Sequence, residues 1–212
     1  MIIGIYGNIG SGKTTLAKYL VKKYHFVYLS LDELTRSLIT ENQALKTELL
    51  SLQDQQIVDL FDKNQNIDFQ KLASYIFLDK KKNHLISSII WKYLKTMVDE
   101  IILILKPEKV NLLIEGAILP AANLSEIDTY LYLANPKMMS KWSKNQWKKS
   151  ISQERKRSLK EINSVVKIQN EYNLHHQIDY FLVNNPQTMK INDLFIKGDE
   201  LMAKLLQEQD KG

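Results

Sequence analysis

The segment Gly7-Asn8-Ile9-Gly10-Ser11-Gly12-Lys13-Thr14, followed by Thr15, constrains this chain more than any other. It matches G-x-x-x-x-G-K-[ST], the P-loop, and its flanks are those the motif needs. A short apolar run, Ile2–Tyr6, precedes it; Leu16, Ala17, Leu20 and Val21 recur at helical spacing between Lys13 and Lys23. Glycines let the backbone curl until successive N–H groups converge, and the helix N-terminus adds the positive end of its dipole. Such a cradle takes phosphate. Asn8, Ile9, Gly10, Ser11, Gly12, Lys13, Thr14 and Thr15 are therefore candidate ATP-binding residues. Lys13 is placed to reach the β/γ-phosphates, and the Thr14 hydroxyl is a candidate Mg²⁺ ligand.

The rest of the chain repeats the strand–helix rhythm. Phe26–Leu29 reads as a second buried strand, and Ser30 or Asp32 can cap the helix that follows. Val110–Ile114, Thr129–Leu133 and Tyr180–Val183 read as further strands. Strands alternating with helices argue for an α/β fold with a parallel sheet covered on both faces. The stretch from Thr40 to Lys106 breaks the rhythm. It reads as helical throughout, an insertion between strands two and three. Lys137 to Gln169 reads as a second long helical region, strongly charged, with Trp142 and Trp147 among lysines. Met189–Gln209 reads as an amphipathic closing helix.

With 212 residues the chain has room for one α/β domain and an insertion. Cysteine is absent, which excludes disulfides, thiolate metal sites and cysteine nucleophiles and fits a reducing cytoplasm. The N-terminal run lacks the features of a signal peptide. Val98–Leu105 is interrupted by Asp99 and Glu100 and is far short of a membrane span. The expectation is a soluble cytoplasmic protein.

Twenty-nine Lys+Arg against 24 Asp+Glu give a net charge of +5. Arg36, Arg155 and Arg157 are the only arginines. Lysines spread over helix faces are solvated charge, so nucleic acid is not an expected partner. A guanidinium kept in a lysine-rich chain marks a site wanting its planar fork, such as phosphate.

Five positions outside the P-loop carry candidate chemistry. Glu115 follows the apolar run Asn111–Ile114; it either holds Mg²⁺ through water, orients an acceptor, or is an ordinary loop acid. Asp32 lies just beyond strand two, where the C-terminal ends of a parallel sheet face the P-loop. Its carboxylate can take the proton of an attacking hydroxyl, or simply cap a helix. Arg36 is one helical turn on, either an ion-pair partner of Asp32 or a substrate anchor. Arg155 and Arg157 stand in the charged helical region, as lid cations over a transferring phosphoryl group or as a solvated face. No Asn-Lys-x-Asp guanine reader is present. His25, His84, His175 and His176 show no metal-ligand spacing, and the three tryptophans read as packing residues.

From Met1 to Thr15 the chain resembles the dephospho-CoA kinases, and the likeness runs weakly along nearly its whole length. The family's Asp-Ala-Asp motif is similar to Ser30-Leu31-Asp32, and its following arginine to Arg36. Its CoA-binding insertion is similar to Asn66-Ile67-Asp68 through Leu72, Ile76-Phe77-x-Asp79 and Ile89-Ile90. Its late strand resembles Ile178 to Asn184. Departures fall on the acceptor side: Ser30 for the first Asp, Trp91-Lys92 for His-Pro, and Glu115 to Ala121 for a Leu-rich acidic segment. The lid arginine expected near Met139 has Lys141 or Lys144 in its place.

The resemblance implies a P-loop kinase fold with a five-stranded parallel sheet. It divides the chain into a core of residues 1–40 and 106–212, with a lid at about 137–169, and a helical acceptor-binding insertion at 41–105. It implies ATP-dependent phosphorylation of the 3′-hydroxyl of dephospho-CoA, with Mg²⁺ as cofactor. Lys13 and Asp32 would be catalytic, Arg36 and Glu115 would bind substrate, and Thr14 would bind the metal; Arg157, one of the scarce guanidinium groups, is the third catalytic candidate on that separate ground. The alternatives are a nucleoside or nucleotide kinase of the same fold, or a nucleotide-binding regulatory module with little turnover.

Overall fold

The computed structural model describes residues 1–135, 141–173, 176, 178–185 and 188–209, the side chains of 141–144 and 209 excepted. Strand β1 (Ile2–Tyr6) leads through the glycine loop into helix α1 (Lys13–Tyr24). Strand β2 (Val27–Ser30) feeds a run of four helices: α2 (Leu31–Glu41), α3 (Gln43–Asp54), α4 (Phe69–Leu78) and α5 (Lys80–Leu105). The chain returns through β3 (Leu112–Glu115) and β4 (Thr129–Ala134). Helices α6 (Lys141–Glu154) and α7 (Leu159–Asn173), strand β5 (Tyr180–Val183) and helix α8 (Ile191–Gln209) complete it.

All five strands pair in parallel, in the order β2-β3-β1-β4-β5. The pleat divides their side chains between two cores. Leu112 and Ile114 of β3 and Tyr6 of β1 face α2, α3, α5 and the short turn Leu119–Ala122. Ile3, Ile5, Leu113, Leu131 and Leu133 face α1 and α8. β3 is buried along its whole length, as a central parallel strand must be. This order brings the C-terminal ends of β2, β3 and β1 side by side, with Ser30 opposite Glu115 and Glu115 opposite Ile5.

The expected strands are present with shifted ends: β2 and β3 run one residue further, to Ser30 and Glu115. Two helical expectations need correction. Residues 55–68 of the insertion are not helical. The Gln53 carboxamide accepts from the Leu60 and Phe61 N–H groups, each at 2.9 Å, and Phe61 bridges antiparallel to Ile67. The second charged region is likewise two helices, broken at residues 155–158, with Lys156 at φ 50°. Ser158 and Glu161 form a capping box that starts α7: Ser158 Oγ accepts from Glu161 N at 3.2 Å, and Glu161 Oε2 accepts from Ser158 N at 2.8 Å. The Lys137 and Met139 positions lie outside the described residues.

Candidate active site

β1 ends at Tyr6, and the next six residues turn the chain back into α1. Gly7 has φ +149°, and a Cβ there would sit 2.2 Å from the Leu133 carbonyl oxygen on β4. Only glycine lets the loop leave the sheet this close to its neighbour. Gly12 is the N-cap of α1, in the left-handed region, with no side chain capping the helix. The N–H groups of Lys13, Thr14 and Thr15 therefore have no partner within the helix. They are a ready anion site.

Lys13 and Thr14 turn toward one carboxylate. Glu115, at the end of β3, is 4% exposed; its Oε1 accepts from the Thr14 hydroxyl at 3.3 Å and lies 3.6 Å from Lys13 Nζ. Its Oε2 accepts from the Tyr28 hydroxyl on β2 at 3.1 Å. Burial, and then the negative charge of Glu115, push the Tyr28 hydroxyl well above its ordinary pKa, so it stays a donor. A buried anion with this much donated to it is stable only because its partners remain.

Asp32 and Arg36 stand on the same rim, exposed on the first turns of α2. Ser30 caps that helix, accepting from Glu33 N at 3.4 Å, so the Asp32 carboxylate is not used as the cap. No ion pair joins Asp32 to Arg36 among the described residues. Arg155 and Arg157 occupy the break between α6 and α7 rather than a helix face. Arg157 stacks over the Phe77 ring of α4 at 4.7 Å, and Arg155 pairs with its neighbour Glu154 at 3.5 Å. The Lys141 and Lys144 side chains lie outside the described residues.

A set of amides escapes the sequence reading. On α7, Gln169 Oε1 accepts from the Ile9 N–H at 2.8 Å, and Asn170 Oδ1 accepts from Asn8 Nδ2 at 2.9 Å. Asn173 donates to the Ala117 carbonyl at 3.0 Å. Past β5, Asn184 donates to the Ser11 carbonyl at 2.9 Å. A signal was available: Ile162, Val166, Gln169 and Asn173 share one buried face of α7, and two amides stand where helical spacing asks for apolar residues. Trp147, Ile151, Ile162 and Val166 pack around Ile9, so α6 and α7 rest directly on the loop.

The donor set around Glu115 is of hard oxygens, the Thr14 hydroxyl and a buried carboxylate, which suits Mg²⁺. Among the described residues no helix is long and apolar enough to cross a membrane.

The family model CoaE, dephospho-CoA kinase, matches residues 1–129. A dephospho-CoA kinase of Fusobacterium nucleatum is 39% identical over 90 residues, which is 42% of this chain and 44% of that one. A dephospho-CoA kinase of Borreliella burgdorferi is 28% identical over 137 residues, 65% of this chain and 63% of that one. The aligned part thus spans less than two thirds of either relative. TT1252 from Thermus thermophilus superposes with a TM-score of 0.66 at 20% identity, covering 97% of each chain. Dephospho-CoA kinase from Campylobacter jejuni gives 0.62 at 17% identity, covering 98% of each. These likenesses establish the fold end to end. The matched span holds the P-loop, β2 with Asp32, the helical run and Glu115, and the chain belongs to the dephospho-CoA kinase family.

Proposed function

We propose that this chain transfers the γ-phosphoryl group of ATP to the 3′-hydroxyl of dephospho-CoA, giving coenzyme A and ADP. The observation that carries this reading is the meeting of Lys13, Thr14 and Glu115 at the mouth of the P-loop, in a chain of this family. The open N–H groups at the start of α1 hold the phosphates. Lys13 leaves its ion pair with Glu115 in part and neutralises charge gathering between the β- and γ-phosphates. Mg²⁺, when bound, supplies further neutralisation there; Thr14 and Glu115 are the residues that would hold it.

Asp32 aligns the 3′-hydroxyl and accepts its proton as the oxygen attacks the γ-phosphorus. The new O–P bond forms while the bond from the γ-phosphorus to its bridging oxygen breaks. That electron pair leaves on the β-phosphate of ADP. Arg36, one turn from Asp32 and in no ion pair among the described residues, anchors the acceptor, and Arg157 supports the phosphoryl group from the α6–α7 turn. The ATP requirement fits a cytoplasmic setting.

The test is direct. The protein is incubated with Mg-ATP and a panel of dephospho-CoA, nucleosides and nucleoside monophosphates, and the products are weighed. A gain of one phosphate on dephospho-CoA is the expected result. A gain only on a nucleoside or nucleotide would replace the acceptor, and ATP binding without any transfer would make the chain a binding module.

A further inference from the structure

Among the uncharged amides that meet the P-loop from outside, Gln169 and Asn184 bond its backbone most closely, at 2.8 and 2.9 Å, and each fixes the direction of a peptide group. In a trans peptide the N–H and C=O point opposite ways, so holding one end aims the other. Gln169 Oε1 holds the Ile9 N–H at 2.8 Å. The carbonyl of that same peptide, on Asn8, is thereby turned away from α7, and it accepts from the Ser11 N–H at 3.1 Å. The tight turn is closed by this bond. Asn184 Nδ2 holds the Ser11 carbonyl at 2.9 Å. The other end of that peptide, the Gly12 N–H, is thereby aimed away from Asn184, and it has no acceptor among the described residues.

We propose that Gln169 and Asn184 are positioning residues that set the peptide directions on which the loop's grip on phosphate depends. The assignment rests on reading the loop as a triphosphate site. Gln169 is 7% exposed on the apolar face of α7, where an amide without its bond would be costly to bury. Asn184 lies so close that a Cβ on Gly12 would come within 2.5 Å of its Nδ2. Neither side chain needs to touch the nucleotide. Both act by leaving the loop nothing to reorganise when phosphate arrives.

Calorimetric titration of inorganic tripolyphosphate into wild type, Gln169→Met and Asn184→Ala tests this. Methionine keeps the length and the apolar fit of Gln169 but offers the Ile9 N–H no oxygen. Each variant is expected to lose about tenfold in tripolyphosphate affinity, the scale of one hydrogen bond. Adenosine, which carries no phosphate, is expected to keep its affinity when titrated in parallel. Unchanged tripolyphosphate binding in both variants overturns the assignment. An equal loss for adenosine and tripolyphosphate, the mark of general loosening, also overturns it. If either variant is unstable, Gln169→Leu and Asn184→Ser carry the same expectation. The readout is binding, so wild type that holds tripolyphosphate yet leaves dephospho-CoA unmodified sinks the proposed reaction, while the variants still decide this point. Wild type that binds no tripolyphosphate overturns it outright.

Discussion

The Tyr28 hydroxyl on β2 donates to the Glu115 carboxylate on the adjoining strand β3, 3.1 Å away. This bond fixes the carboxylate so that its other oxygen faces Thr14 and Lys13. Tyr28→Phe keeps the ring and removes the donor. Stability is expected to fall by about 1.5–3 kcal/mol, the range for a hydrogen bond to a charged group. The Mg²⁺ concentration giving half-maximal activity is expected to rise, because Glu115 is free to turn. Thermal melts and a Mg²⁺ titration check both, and a variant unchanged in both would show that Glu115 is held by other means.

Asp32→Asn separates base from cap. Ser30 already caps α2, so the amide is expected to leave the melting temperature unchanged. Turnover is expected to fall by roughly a hundredfold to ten-thousandfold, the span of general-base contributions. ATP affinity should hold. A collapse of ATP binding with the rate would make Asp32 part of the nucleotide site instead.

Arg157→Lys is expected to lower kcat by about tenfold, near 1.4 kcal/mol, with ATP affinity little moved. The Arg157 guanidinium sits over the Phe77 ring, 4.7 Å from its centre, and its planar fork offers donors in a fixed geometry that an ammonium does not. Arg155→Lys is the control, being exposed and paired, among the described residues, with Glu154 alone. Single-turnover rates for both variants decide it. Two equally silent substitutions would return both arginines to the solvent-facing surface.

Tyr6 is fully buried, and its hydroxyl has no partner among the described residues. Burial, with the neighbouring Tyr132 adding to it, pushes this hydroxyl from its ordinary 10.0 up to about 12. A pKa raised in the folded state means the fold holds the proton more tightly than the unfolded chain does. Its titration therefore leaves stability untouched below pH 10 and lowers it as pH rises toward 12, at about 1.4 kcal/mol per pH unit. Tyr6→Phe keeps the edge contacts with Tyr130 and Tyr132 and removes the orphan. It is expected to raise stability at pH 7 by about 1 kcal/mol and to shallow the alkaline decline. Urea melts at pH 7 and pH 11 measure both, and a less stable variant at pH 7 would mean that the hydroxyl has a partner after all.

The parallel sheet was legible because its evidence is local. Each strand is a short apolar run, and the P-loop announces the first crossover by itself. Strand ends were less so: Glu115 stays in β3 although charged, because hydroxyls of Thr14 and Tyr28 and the Lys13 ammonium meet it from other elements. The break before α7 was legible in Ser158-x-x-Glu161, but a continuous charged pattern hides a capping box easily. Lys13, Thr14 and Glu115 come together as their positions along the chain suggested. Gln169 and Asn184 could not be paired with the loop, since an amide has no charge or spacing rule that names its partner. Only the three-dimensional path of α7 and β5 brings them there.

The braces on the glycine loop arrive late in the chain. Gln169 is separated from Ile9 by 160 residues and Asn184 from Ser11 by 173. During synthesis the loop leaves the ribosome well before either brace has been made. Loop closures this long are slow, and the Asn184 brace, which follows β5, is the later of the two. A partly made chain that ends before β5 is therefore expected to carry the full motif yet grip nucleotide poorly. Nucleotide added to a refolding chain should bind in the final kinetic phase, which makes it a reporter of completed folding rather than a template for it.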